Sequence, residues 1–211
     1  MELAVFGATG QTGQALVSAA LAHGWNVRAF VRTQAGAALA MPAGLHVVHG
    51  DPHWEPDIAA TVRGSEAVCC LFGPRPPYAE AFRASFTLRI VNVMRAEGTR
   101  RIVCLTGAMV GAMPPNTSVA LRTMAAVFRR RWPAIAADGA EQEAIVMTSG
   151  LDWTLVKPPR LTSGPRTTTV HADATLPVGA LSSIGRQDLA EFILRAAAHD
   201  RYVGQRVYVR G

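Results

Sequence analysis

An α/β fold built around a parallel sheet is what this sequence predicts, and three observations carry the prediction. Short apolar strand patterns alternate with longer helical patterns along most of the chain. The strand patterns are apolar at consecutive positions, as in strands covered by helices on both faces. A glycine-rich turn also stands directly between the first strand pattern and the first helical one.

The elements follow in order. Strands are expected at residues 3–6, 26–31, 46–49, 67–72, 101–105 and 153–156, and a terminal strand at 206–209 closes the chain. Helices are expected at 12–23, 56–63, 78–97, 136–148 and 186–198. The last of these places Leu189, Phe192, Ile193 and Ala196 on one stripe, at i, i+3, i+4 and i+7. Residues 113–132 read as a loop followed by a helix with a basic end, Arg129-Arg130-Arg131, a candidate flap. Two proline-rich stretches, Gly73-Pro74-Arg75-Pro76-Pro77 and the segment from Pro158-Pro159 to Pro165, can be neither helix nor ladder. Each follows a strand, on the side where open α/β sheets bind ligands.

The chain has 211 residues and a mass of 22.4 kDa, with 49% hydrophobic and 17% charged residues. That is enough apolar material for one packed domain, 1–211, and it excludes general disorder. No apolar run approaches the roughly 20 residues of a spanning helix, so no membrane partner is expected. The N-terminus enters a strand pattern with no basic leader, which points to a cytoplasmic location. Three cysteines occur, two of them adjacent, with no metal or redox spacing, and read as reduced buried thiols. His46, His49, Asp51 and His53 do not make a metal site, because His46 and His49 fall on opposite faces of a strand. The net charge is +6. It is carried almost wholly by arginine, since Lys157 is the only lysine. Arginine forks favour phosphate and carboxylate. A nucleic-acid partner is not expected, because the aromatics are not interleaved with the basic residues.

The glycine turn is the most informative local pattern: Gly7-Ala8-Thr9-Gly10-Gln11-Thr12-Gly13, spaced G-x-x-G-x-x-G. Gly7 allows a tight exit from the strand, Gly10 lets backbone approach a pyrophosphate, and Gly13 lets the helix lie close on the sheet. The helix start supplies free N–H groups and a positive dipole end to phosphates, and Thr9 and Thr12 add hydroxyls. This predicts a Rossmann-like, doubly wound parallel sheet, as a single domain with short C-terminal substrate-side elements. An NAD site would place a carboxylate at the end of the second strand, about 20 residues on. Arg32 stands there instead, with no carboxylate between Gly13 and Gly50, so the expected cofactor is NADP(H), with Arg32 on the 2′-phosphate. Asp51, before Pro52 at the end of the third strand, reads either as an adenine acceptor or as a turn former.

Gly7 to Gly13, Val31-Arg32, Gly50-Asp51, Leu71-Phe72-Gly73, Ser149-Gly150-Leu151-Asp152-Trp153-Thr154, Lys157-Pro158-Pro159 and Arg186-Gln187-Asp188-Leu189 together carry a resemblance. The chain resembles the atypical short-chain dehydrogenases/reductases with an NAD(P)H-binding domain. These include the NmrA-like proteins and, more closely, the biliverdin-IXβ reductase/flavin reductase group. The resemblance implies that Gly7, Thr9, Gly10, Gln11, Thr12 and Arg32 hold the adenosine diphosphate half, with Asp51 and Pro52 flanking the adenine. It implies that Leu71, Phe72, Gly73 and Arg75 line the middle of the cofactor. Thr106, Lys157, Pro158 and Pro159 would line the nicotinamide end. The chain departs from the biliverdin/flavin reductase pattern at Gly107, where a serine is usual, and at Arg160 and Gly139, where histidines are. Bilin reduction is therefore not expected.

The Tyr-x-x-x-Lys dyad of most short-chain dehydrogenases is excluded, because Trp153 stands four residues before Lys157. Hydride transfer to a flavin, a quinone or a similar small acceptor asks less of the protein, since the acceptor is its own electron sink. Met109, Phe72, Arg75 and Arg160 are candidates for a shelf beside the nicotinamide, with Met109 and Arg160 as the substrate-binding positions. Met109 reads equally as packing, and Arg160 as a solvated charge. Asp138 reads as the N-cap of its helix, with Glu141 three residues on, and Glu143 as an arginine partner. The alternative function is a non-catalytic, redox-sensing regulator that binds NADP(H), as NmrA-like proteins do. An epimerase is disfavoured by the missing dyad.

Overall fold

The computed structural model describes residues 1–32, 42–74, 76–78, 80–114, 116–164 and 169–211. Among these residues, eight strands form one sheet: β1 (Glu2–Phe6), β2 (Asn26–Arg32), β3 (Leu45–Gly50), β4 (Ala67–Cys70), β5 (Arg101–Leu105), β6 (Asp152–Lys157), β8 (His171–Asp173) and β10 (Gln205–Arg210). Their order is β3-β2-β1-β4-β5-β6-β10-β8. Pairing is parallel except at the edge, where β8 runs antiparallel to β10. β7 (Arg160–Thr162) and β9 (Ser183–Gly185) form a separate parallel pair. The chain crosses from β1 to β2 and β3 on one side, then to β4, β5 and β6 on the other. This is the doubly wound Rossmann-like order, whose switch point lies between β1 and β4.

Alternate residues along each strand feed two different layers. Leu3 and Val5 of β1 pack with α1 (Gln11–Ala22) and α6 (Arg186–Ala198) in one apolar cluster. Ala4 and Phe6 turn to the other face, against α2 (Glu55–Val62), α3 (Arg83–Glu97) and α5 (Pro133–Met147). Strands buried on both faces thus explain the near-continuous apolar runs. All four residues of the expected α6 stripe are buried. The three cysteines are free and buried, and burial pushes the Cys69 thiol up to about 12, leaving it protonated at neutral pH.

Four expectations are corrected. β4 ends at Cys70, so Leu71 and Phe72 belong to the loop that follows it. α3 begins at Arg83 rather than at residue 78, because Pro76-Pro77 precede Tyr78, whose φ of 61° is left-handed. Residues 113–132 hold, as expected, a loop followed by a helix with a basic end, α4 (Val119–Arg131), capped by the Ser118 hydroxyl on the Leu121 N–H, but α5 begins directly afterwards at Pro133. α5 therefore starts earlier than residue 136, which puts Asp138 inside the helix rather than at its cap.

Candidate functional site

The glycine turn is packed so closely that side chains are excluded. Gly7 has φ +94°, and a Cβ there would lie 2.7 Å from the Phe72 backbone nitrogen. A Cβ on Gly13 would lie 2.1 Å from the Gly7 carbonyl oxygen. The turn closes with the Gly10 N–H donating to the Gly7 carbonyl at 3.0 Å. Gly10 is the N-cap of α1 and brings no capping side chain, and the first turn of α1 holds no acidic residue. Among the described residues, no side chain therefore caps the orphan N–H groups at this helix start or sets an acidic charge in its first turn against the positive end of the dipole. Gln11 is exposed, Thr9 half-buried and Thr12 buried at this helix start.

The other expected positions lie along the same C-terminal edge of the sheet. Arg32 ends β2, is exposed, and is in register with Gly50 of β3. Asp51 and Pro52 follow at once. The Asp51 carboxylate accepts the His53 N–H at 2.8 Å, and the Asp51 N–H donates to the Asp57 carboxylate at 2.9 Å. Asp51 is thus a turn former in its own loop, and Asp57, which the sequence does not single out, holds that loop from α2. After β4, Leu71 is buried and Phe72 half-buried, with the Phe72 ring 4.8 Å from that of Phe86. Gly73 is exposed, with open space where a Cβ would stand, and Arg75 lies outside the described residues. Thr106 and Met109 are in the loop after β5, where Met109 packs on a small third apolar cluster with Ala108, Leu121, Val178 and Tyr208. Pro158 accepts the Ala108 N–H at 2.9 Å, Pro159 is half-buried beside it, and Arg160 is exposed at the start of β7.

Lys157 is fully buried and ion-paired with Glu143, and its ammonium also donates to the Val110 carbonyl at 2.6 Å. The Thr106 hydroxyl donates to the same Glu143 oxygen at 2.8 Å. Burial pulls the Lys157 pKa down, while Glu143 opposes it. The Tyr208 hydroxyl donates to the Ala112 carbonyl at 2.8 Å, and the Lys157 ammonium lies 5.7 Å from the Tyr208 ring centroid. Burial pushes the Tyr208 hydroxyl well above the usual phenol range. The loop after β5 is therefore clamped by two buried side chains. Gly111 fits over the cluster because a Cβ there would lie 2.5 Å from a Glu143 oxygen.

Two carboxylates thus do something other than expected. Glu143 takes the lysine instead of an arginine. Asp138, inside α5, accepts the Arg83 Nε at 2.9 Å and the Ala84 backbone N–H at 2.9 Å, capping α3 from a neighbouring helix. The Arg83 guanidinium lies over Gly139, where a Cβ would be 2.7 Å from Nη2. That contact is a physical reason why no histidine stands at Gly139. Among the described residues there is no group of His, Cys, Asp and Glu side chains able to hold a metal ion.

A family model described as NAD(P)H-binding matches residues 7–200. The chain belongs to this NAD(P)H-binding family. An uncharacterized chloroplastic protein of Arabidopsis thaliana is 30% identical over 203 residues, 91% of this chain and 70% of the plant protein. Among solved structures, a short-chain dehydrogenase/reductase of Veillonella parvula in complex with NADP superimposes with a TM-score of 0.79 at 15% identity, covering 100% of this chain and 94% of that one. ChuY of Escherichia coli O157:H7, an anaerobillin reductase, gives 0.77 at 18% identity over 100% and 97%. Both likenesses show the fold. The cofactor is NAD(P)H, and the packed glycine turn with its helix start fits a pyrophosphate.

Proposed function

We propose that the protein is an NADPH-dependent oxidoreductase whose acceptor is a flavin, a quinone or a similar small molecule. The observation that carries this reading is the state of Lys157. The only lysine of the chain is buried against Glu143 and Val110, so no lysine is free to lower the pKa of a tyrosine acid for carbonyl reduction. An acceptor that carries its own electron sink needs no such acid.

The chain's own residues bind and orient. The first turn of α1, with Thr9, Gln11 and Thr12, would hold the pyrophosphate, and Arg32 the 2′-phosphate. Asp51 and Pro52 would border the adenine. Leu71, Phe72, Gly73 and Arg75 would line the cofactor's middle, and Thr106, Pro158 and Pro159 its nicotinamide end. Lys157, its amine committed to Glu143 and Val110, would shape that end through the loop it holds rather than by direct contact. Met109 and Arg160 would border the acceptor. When bound, NADPH supplies the hydride, and solvent supplies the proton the acceptor needs.

Arg32→Glu tests the cofactor assignment. It should weaken NADPH binding about 10- to 100-fold, the worth of a charge-assisted contact of about 1.5–3 kcal/mol, and leave NADH binding unchanged. Quenching of tryptophan fluorescence by each nucleotide reads both affinities. Equal losses for the two nucleotides would remove Arg32 from the 2′-phosphate.

A further inference from the structure

The face of α4 turned away from the core carries apolar residues that no other described residue covers. Only Leu121 and Ala125 of this helix are buried. Val119, Met124 and Val127 are 80%, 48% and 61% exposed. Leu181, 92% exposed, stands in the 179–182 turn beside the start of the helix. That turn neighbours Ser118, and Asn116 donates to the Thr175 carbonyl at 2.8 Å. Large uncovered apolar side chains rimmed by charge mark interaction surfaces.

The rim is of one sign. Arg129, Arg130 and Arg131 end α4 exposed, and none is paired with a carboxylate among the described residues. The sequence holds no Asp or Glu between Glu97 and Asp138, and Asp138 is committed to Arg83. Complementing the helix dipole accounts for basic residues in a last turn, but not for valines facing outward in the turns before it.

We propose that α4 and the 179–182 turn dock on an anionic lipid surface. The helix lies in the interface plane, Val119, Met124, Val127 and Leu181 enter the acyl boundary, and Arg129–Arg131 sit among the headgroup phosphates. Other occupants fit the same residues less well. A second copy of α4 would bring the arginines no carboxylate, because the helix holds none, and a nucleic acid would give the apolar residues nothing to do. The lack of a spanning segment, from which no membrane partner is expected, does not bear on surface docking. Tyr78, in the loop after β4, packs edge-on against Phe128 and Trp132, with ring centroids 5.7 Å and 4.9 Å apart, which ties the end of α4 to that loop. The proposal is independent of hydride transfer, since lipid binding is read without nucleotide or acceptor.

Vesicle flotation of the full chain tests it, with vesicles of one part phosphatidylglycerol to two parts phosphatidylcholine, and of phosphatidylcholine alone. The protein should float with the anionic vesicles, stay behind with the neutral ones, and be released by high salt. Val127→Glu and Arg130→Glu change exposed side chains, so both variants should keep the wild-type circular dichroism. Each should lower the bound fraction about ten-fold or more. Failure to float with anionic vesicles at low salt would overturn the proposal. So would wild-type binding by Val127→Glu, which would leave a charge-only surface. Displacement by polyglutamate together with an unchanged Val127→Glu would assign the face to an acidic protein instead.

Discussion

Gly13→Ala is expected to abolish nucleotide binding in a protein that still folds. The new methyl group would lie 2.1 Å from the Gly7 carbonyl oxygen and 2.8 Å from the Ala8 Cα, both backbone atoms of the phosphate turn. No flexible side chain can give way, so either the start of α1 must lift or the turn must flatten. Overpacking of this kind costs about 1–3 kcal/mol of stability. The loss of binding should be larger, because a misplacement of about 1 Å at a site of aligned donors costs about 100-fold. Gly24→Ala is the control. Gly24 also has positive φ, +73°, but nothing lies within 4 Å of its would-be Cβ. It should lose about 1 kcal/mol to backbone strain and bind nucleotide normally. Isothermal titration with NADPH, beside thermal melts of both variants, separates the two effects.

Lys157→Met should be the most destabilising single change at the site. Among the described residues, it leaves the buried Glu143 carboxylate with the Thr106 hydroxyl alone as a partner, and it removes the donor to the Val110 carbonyl. Breaking a buried pair from one side costs about 3–5 kcal/mol, whereas replacing both partners with apolar residues is often nearly neutral. The double variant Glu143→Leu/Lys157→Met should therefore recover most of the stability lost by the single one. Urea denaturation of the two variants checks this. A double variant as unstable as the single one would mean that the amine's hold on the β5–α4 loop, rather than charge pairing, carries the stability.

Much of the scaffold was readable from residues alone, because the Rossmann-like order rests on local signals. Leu3 to Phe6, the glycines after them and the α6 stripe each declare an element within a few residues. The strands of three residues, β7, β8 and β9, have no period to detect. The expected start of α3 is too early because the apolar pattern runs back to Tyr78, while the backbone there turns left-handed. The glycine turn is legible because its residues are consecutive at a strand end, and Arg32 is proposed for the 2′-phosphate on the same local ground. The Glu143–Lys157–Thr106 cluster is not legible in this way. It joins a helix to two strand ends, and which carboxylate of α5 meets the lysine depends on the rotation of that helix. The same rotation sends Asp138 to Arg83, where a sequence reading places it at a helix cap.

The most direct test of the central claim follows the near-ultraviolet absorbance of reduced nicotinamide, with NADPH and then NADH, against flavin mononucleotide, riboflavin and a simple quinone. The expected result is acceptor-dependent oxidation that is faster with NADPH than with NADH and that collapses for NADPH in Arg32→Glu. Tight binding of NADP⁺ and NADPH alike, with no turnover on any acceptor, would contradict it and make the protein a sensor of the nucleotide rather than a reductase.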